Sequence, residues 1–119
     1  MKKKTWKARI KKACTEAGTY RPFFDTVIDE LAGIMERRDM ALDAFQKTGG
    51  NVIVKHTNKN GSANLEQNPA LRLVNDLNRD ALVYWRDLGL TPAGLKKINE
   101  KSMEKPKRSA LAEAMRALG

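Results

Sequence analysis

Residues 68–98 read NPALRLVNDLNRDALVYWRDLGLTPAGLKKI, and this stretch decides the fold. Asn68 is a side chain that caps helices, and Pro69 suits the first helical position, where the backbone N–H has no intrahelical partner. Leu71, Val74, Leu77, Ala81, Trp85 and Leu88 then recur at steps of three and four, which is one apolar stripe on one helix. Gly89 stands where a helix C-terminus takes a left-handed residue. Thr91 and Pro92 repeat the cap device for a second helix. The stretch therefore predicts helix, tight corner, helix.

Working upstream, Pro22 to Lys47 predicts the longest helix. Phe23, Phe24, Val27, Ile28, Leu31, Ile34, Met35, Ala41, Leu42 and Phe45 form a broad stripe of helical period. At 1.5 Å per residue it would run roughly 39 Å, longer than a chain this size needs for its own core. The stripe therefore predicts burial against neighbouring copies as well. Asp25, Asp29, Glu36, Asp39 and Asp43 lie on its flank. Pairs four residues apart are conceivable metal ligands, but a solvated face is the plainer expectation.

Between the two helices, Gly49-Gly50 stops the first. Val52, Ile53 and Val54 favour a strand, and Asn60-Gly61 signals a type I′ turn. The expected element is a short β-hairpin at about 52–64, which, being marginal alone, packs on the helices or on a neighbouring copy's hairpin. His56, the one histidine, has neither a second His nor a Cys nearby for zinc, and is assigned a structural role.

Tyr20-Arg21-Pro22 before the long helix, His56-Thr57-Asn58-Lys59 with Gly61, Asn68-Pro69-Ala70-Leu71, and Leu88-Gly89-Leu90-Thr91-Pro92-Ala93 form an ordered set over about Thr19 to Glu100. In this set the chain resembles the small subunit of tailed-phage terminases. The resemblance implies a non-catalytic ring that recognises viral DNA and recruits the large terminase subunit, which carries the ATPase and nuclease, to start packaging in the host cytoplasm. It implies double-stranded DNA, the large subunit or the portal, and further copies of the chain as partners. It implies no cofactor. Only about twenty residues precede the hairpin, too few for the helix-turn-helix many relatives carry, so base-specific readout is not expected.

Charge placement supports the polyanion. The formal net charge is +9. Residues 1–21 carry +7, residues 22–95 carry −2 and residues 96–119 carry +4. A near-neutral body with two basic ends suits nucleic acid. Thr5 is the expected cap of a basic amphipathic helix that Gly18 ends, with Trp6, Ile10, Ala13, Cys14 and Ala17 on its apolar face. That helix can lie on DNA, on a membrane surface, or on its own domain through Trp6.

At 119 residues the expected organisation is a basic arm at 1–21, a helical oligomerisation core at 22–105, and a linker with a docking helix at 106–119. The fold class is mainly α: an antiparallel helical hairpin, about 22–47 and 69–88, with the β-hairpin between and shorter basic terminal helices. No apolar run approaches a membrane span, and nothing in the N-terminus resembles a secretory signal. One cysteine, Cys14, leaves no internal disulfide and fits a reducing compartment.

Candidate DNA contacts are Lys2, Lys3, Lys4, Lys7, Arg9, Lys11 and Lys12 at one end and Lys105, Lys107 and Arg108 at the other. Phe24, Ile28, Leu31, Met35, Leu42, Leu77 and Trp85 are the candidate oligomer interface. Leu111, Met115 and Leu118 are the candidate docking face for the large subunit. Arg72, Arg79 and Arg86 recur every seven residues, either lining a channel or pairing with the acids of an adjacent long helix. No catalytic constellation, phosphate loop or metal cluster is found; the alternative reading is a small helical DNA-binding regulator or nucleoid-type protein. An adaptor that meets only protein would show no DNA binding at low salt.

Overall fold

The computed structural model describes residues 1–100. Helix α1 spans Lys3–Ala17, a 3₁₀ turn spans Pro22–Phe24, and α2 spans Asp25–Lys47. Strands β1 (Ile53–Thr57) and β2 (Ala63–Gln67) follow, then α3 (Pro69–Asp87). A last helix, α4, covers 92–100. The architecture is the mainly helical one predicted, with a two-stranded antiparallel hairpin between the long helices. The expected helix beyond residue 108, with Leu111, Met115 and Leu118, lies outside the described residues.

The capping chemistry of residues 68–98 is realised atom by atom. The Asn68 side chain accepts from the Ala70 N–H at 3.0 Å and donates to the Asn51 carbonyl at 3.0 Å. Thr91 Oγ1 accepts from the Gly94 N–H at 3.1 Å. Gly89 has φ +73°, closing the corner. Because Asn68 is buried and ties the base of the β-hairpin to α3, Asn68→Ala should cost about 1–2 kcal/mol. Thermal denaturation should show a melting temperature lower by roughly 4–15 °C for a domain this size. Asn68→Asp keeps the cap acceptor and should recover part of the loss.

Helix α3 returns antiparallel along α2, and Thr19 marks the closed end. Its hydroxyl donates to the Leu88 carbonyl at 2.8 Å, joining the start of α2 to the end of α3. From this end the core runs along the helices: Ile10 and Cys14 from α1, Ile28, Leu31, Ala32, Ile34, Met35 and Ala41 from α2, Val74, Leu77 and Ala81 from α3, and Leu88. Trp6, Tyr20, Phe24, Leu42, Tyr84, Trp85 and Leu90 pack around it half-buried.

Two expectations are corrected and a third is narrowed. Helix α1 begins at Lys3 without a side-chain cap, so Thr5 does not open it. Glu36 of α2 supplies the missing acceptor, taking the Lys3 N–H at 2.7 Å. The hairpin turn is not type I′, which needs two positive φ angles. Gly61 alone has positive φ (+80°), and its N–H bonds the Asn58 carbonyl at 2.9 Å; Asn58 N–H closes the loop on Ser62 at 2.8 Å. This is the three-residue loop with a left-handed glycine. Of the two supports expected for the β-hairpin, it is the helices that do not carry it: Ile53 and Leu65 are 60% and 77% exposed. Its register, Val54 opposite Glu66 and Lys55 opposite Leu65, leaves both faces largely in solvent.

Candidate nucleic-acid interface

Helix α1 starts with an electrostatic problem. Lys2, Lys3 and Lys4 sit at the positive end of its own dipole, with no acid in the first turn. Helix α2 solves it from outside. Beyond the Glu36 bond, Asp39 accepts from Trp6 Nε1 at 2.7 Å and from the Met1 ammonium at 3.1 Å. Asp29 pairs with Lys3 at 3.0 Å and Lys7 at 3.6 Å. Arg38 and Arg9 lie against the Trp6 ring at 5.8 and 5.9 Å from its centroid. Further along, Ile10 and Cys14 enter the core, and the Tyr20 hydroxyl donates to Asp25 at 2.9 Å. Of the three surfaces open to it from sequence, α1 therefore takes its own body, through the Trp6 face.

Asp29, Glu36 and Asp39 of the acidic flank thus form a docking face for α1, while Asp43 stays exposed beside Lys47 at 2.8 Å. Three of the acids expected to pair with Arg72, Arg79 and Arg86 of an adjacent helix are engaged by α1. Arg79 instead meets Asp76 of its own helix at 3.7 Å. Among the described residues Arg72 and Arg86 have no carboxylate within ion-pair distance.

Docking sorts the predicted DNA contacts into two sets. Lys3 and Lys7 are committed to Asp29. Lys2, Lys4, Arg9, Lys11 and Lys12 are exposed and form no ion pair among the described residues. With α1 seated on Trp6, Ile10 and Cys14, the 100° step places Lys4 and Lys12 on its far side and Arg9 and Lys11 on its two flanks, Arg9 leaning on the Trp6 ring. Lys11 also lies over the Tyr20 ring, 5.1 Å from its centroid. The result is a rigid basic ridge carried on a folded body, not a loose arm. Lys105, Lys107 and Arg108 lie outside the described residues.

The predicted interface residues are placed differently from expectation. Ile28, Leu31, Met35 and Leu77 are buried in the chain's own core, so they are not surface available to a second copy. Phe24, Leu42 and Trp85 are half-buried at its margin. The large apolar side chains left exposed are others, among them Phe23, Met40, Leu73, Leu82 and Val83. His56 sits exposed on β1, 3.8 Å from Glu66. Among the described residues no three His, Cys, Asp or Glu side chains converge as a metal site would require. No described helix is long and apolar enough to cross a membrane.

The carboxylates facing α1 are tuned by it. Hydrogen bonding and charge from Lys3, with help from Lys7, hold Asp29 below its usual value despite some desolvation. Burial pushes Asp39 upward, but the Trp6 N–H, the terminal ammonium and Arg38 outweigh it, and the net shift is down. Burial raises the Cys14 thiol, partly offset by Thr19. For a depressed carboxylate the stabilisation is complete above its unfolded value, about 3.9, and is lost as pH falls through the lower folded value. The melting temperature should therefore fall from about pH 4 downward. Asp39→Asn, which keeps an acceptor for Trp6, should flatten that acid limb while lowering stability at neutral pH.

A model of the family described as phage terminase, small subunit, matches residues 3–105. The chain has no significant match among curated proteins and none among solved structures.

Proposed function

The chain belongs to the phage terminase small-subunit family, and we propose that it is a non-catalytic DNA-binding subunit that opens genome packaging in the host cytoplasm. In this reading copies of the chain form a ring, hold viral double-stranded DNA, and bring it to the large subunit, which has the ATPase and the nuclease. The basic N-terminal helix meets phosphates, the helical core at 22–105 carries assembly, and residues 106–119 dock on the large subunit.

The observation that carries the DNA assignment is the sorting of α1. Its inward cations are pinned to Asp29, and its outward ones stand exposed on a helix fixed by core contacts. Pre-organised lysines and an arginine on one ridge suit the phosphate backbone, whose recognition is salt-dependent and sequence-tolerant. A ring would repeat the ridge and convert a weak contact into useful avidity.

The test is native mass by light scattering, with and without duplex DNA, together with binding measured across salt. A ring-sized particle whose DNA affinity falls steeply with salt is expected. A stable monomer or dimer that still binds DNA would favour the regulator; no DNA binding at low salt would remove the function proposed for α1.

A further inference from the structure

Outside the docking of α1, α3 carries two short patterns of the same shape and opposite charge. Arg79, Leu82 and Arg86 are spaced three and four residues apart, so they share one face of the helix. Asp80, Val83 and Asp87 repeat that spacing one residue later, roughly a quarter to a third of a turn around the axis. All six side chains are exposed, Leu82 at 46% and Val83 at 53%. The acidic set does not stand alone. With Glu30, Ile34 and Arg37 of α2 and Tyr84 it lines a groove of about 530 Å³ between the two helices. Val83 supplies the exposed apolar surface, with Tyr84 half-buried and Ile34 buried beneath it, and three carboxylates against one guanidinium leave it acidic.

We propose that this groove receives the Arg79–Leu82–Arg86 face of a second copy of the chain, head to tail, as the subunit contact of the assembly. The inference rests on the ring reading above and names the surfaces that would build it. The two faces complement each other twice. Leu82 meets an apolar floor, and the flanking arginines meet Asp80, Asp87 and Glu30. Because the faces are different and point in different directions from one helix, the contact is heterologous and propagates from copy to copy. Cyclic symmetry with α3 along the axis sets Arg79 level with Asp80 of the next copy, within one residue's rise of about 1.5 Å. The Arg79–Asp76 bridge within the helix is long and exposed, so it gives way readily. Charge here chiefly sets partner and register, and the apolar centre adds burial.

Charge reversal tests it, with native mass as the readout and circular dichroism as the check on folding. One variant carries Arg79→Glu and Arg86→Glu; the other carries Asp80→Lys and Asp87→Lys. Each alone should assemble at least tenfold more weakly than the parent, and an equimolar mixture should regain assembly, as rings of even copy number in which the two variants alternate and each reversed face finds its opposite. Should a reversed variant fail to fold, the neutral pair Arg79→Gln and Arg86→Gln should still weaken assembly about tenfold. A reversed variant that keeps the parent's mass overturns the contact while leaving the ring intact. So does an arginine variant that loses DNA binding but not mass, which would make the row a phosphate contact. A mixture of folded variants that fails to assemble overturns the pairing. A parent chain that is monomeric at every concentration, with and without DNA, removes the ring and this contact together.

Discussion

Alanine at Lys4, Arg9, Lys11 and Lys12 together should reduce affinity for duplex DNA by roughly a hundredfold to a thousandfold at ~0.1 M salt, with little change in melting temperature. Each phosphate contact on duplex DNA contributes about 0.9 to the slope of log affinity against log salt, so losing four should flatten the slope by about 3–4. Stability should fall only slightly: Lys4 and Lys12 lie away from the Trp6, Ile10 and Cys14 face that seats the helix, while Arg9 and Lys11 give up exposed contacts with the Trp6 and Tyr20 rings. The complementary variant, Lys3→Ala with Lys7→Ala, should behave in the opposite way. It strips Asp29 of both partners, so it should lower the melting temperature yet leave DNA affinity within a few-fold. Titration of labelled duplex at several salt concentrations, beside thermal melts, separates the two. Unchanged affinity in the four-site variant would move the DNA contact off α1.

That contrast depends on a division among the lysines that the sequence alone does not draw. Composition identifies α1 as basic and amphipathic, and its apolar face is legible from Trp6, Ile10 and Cys14. Which lysines remain outward depends on Asp29, Glu36 and Asp39, which lie more than twenty residues away in sequence. A carboxylate on a helix flank looks the same in sequence whether it meets water or another helix. The same limit explains the start of α1: a cap search examines neighbours in sequence, and here the acceptor is Glu36, 33 residues on.

Local chemistry was more legible. Asn68, Gly89 and Thr91 announce caps and corner because the atoms involved lie within a few residues of one another. The long stripe on α2 is buried over much of its length, as its period predicts. Periodicity says that a face is buried and not what buries it. In the structure Ile28, Leu31 and Met35 are buried in the chain's own core, while Phe23 of the same stripe is 74% exposed. Surfaces suited to a second copy lie among exposed side chains, and the relation between the Arg79 and Asp80 sets exists only once the groove with α2 is formed.

Gly94→Ala sets two effects of opposite sign against each other. Gly94 lies inside α4, and on propensity alone alanine should stabilise an exposed helix interior by about 1 kcal/mol. Gly94, however, is buried against the end of α3. A Cβ there would stand 2.1 Å from the Arg86 carbonyl oxygen and 2.9 Å from its carbon, far inside contact distance. The carbonyl has little freedom to yield, since it accepts the Gly89 N–H at 2.9 Å in the turn that makes the corner. Relief must come from moving α4 outward. That withdraws Ile98 and Leu95 from the corner and strains the Thr91 cap, whose bond runs to the Gly94 N–H itself. Overpacking of this kind costs about 1–3 kcal/mol or more, so the clash should win. The melting temperature should drop by roughly 5–15 °C, and hydrogen exchange should quicken across 92–100. Ala93→Gly, one position away and exposed, should cost only the propensity difference. A Gly94→Ala variant more stable than the parent would mean that α4 does not rest on Arg86, and that the corner opened by Gly89 does not close as described.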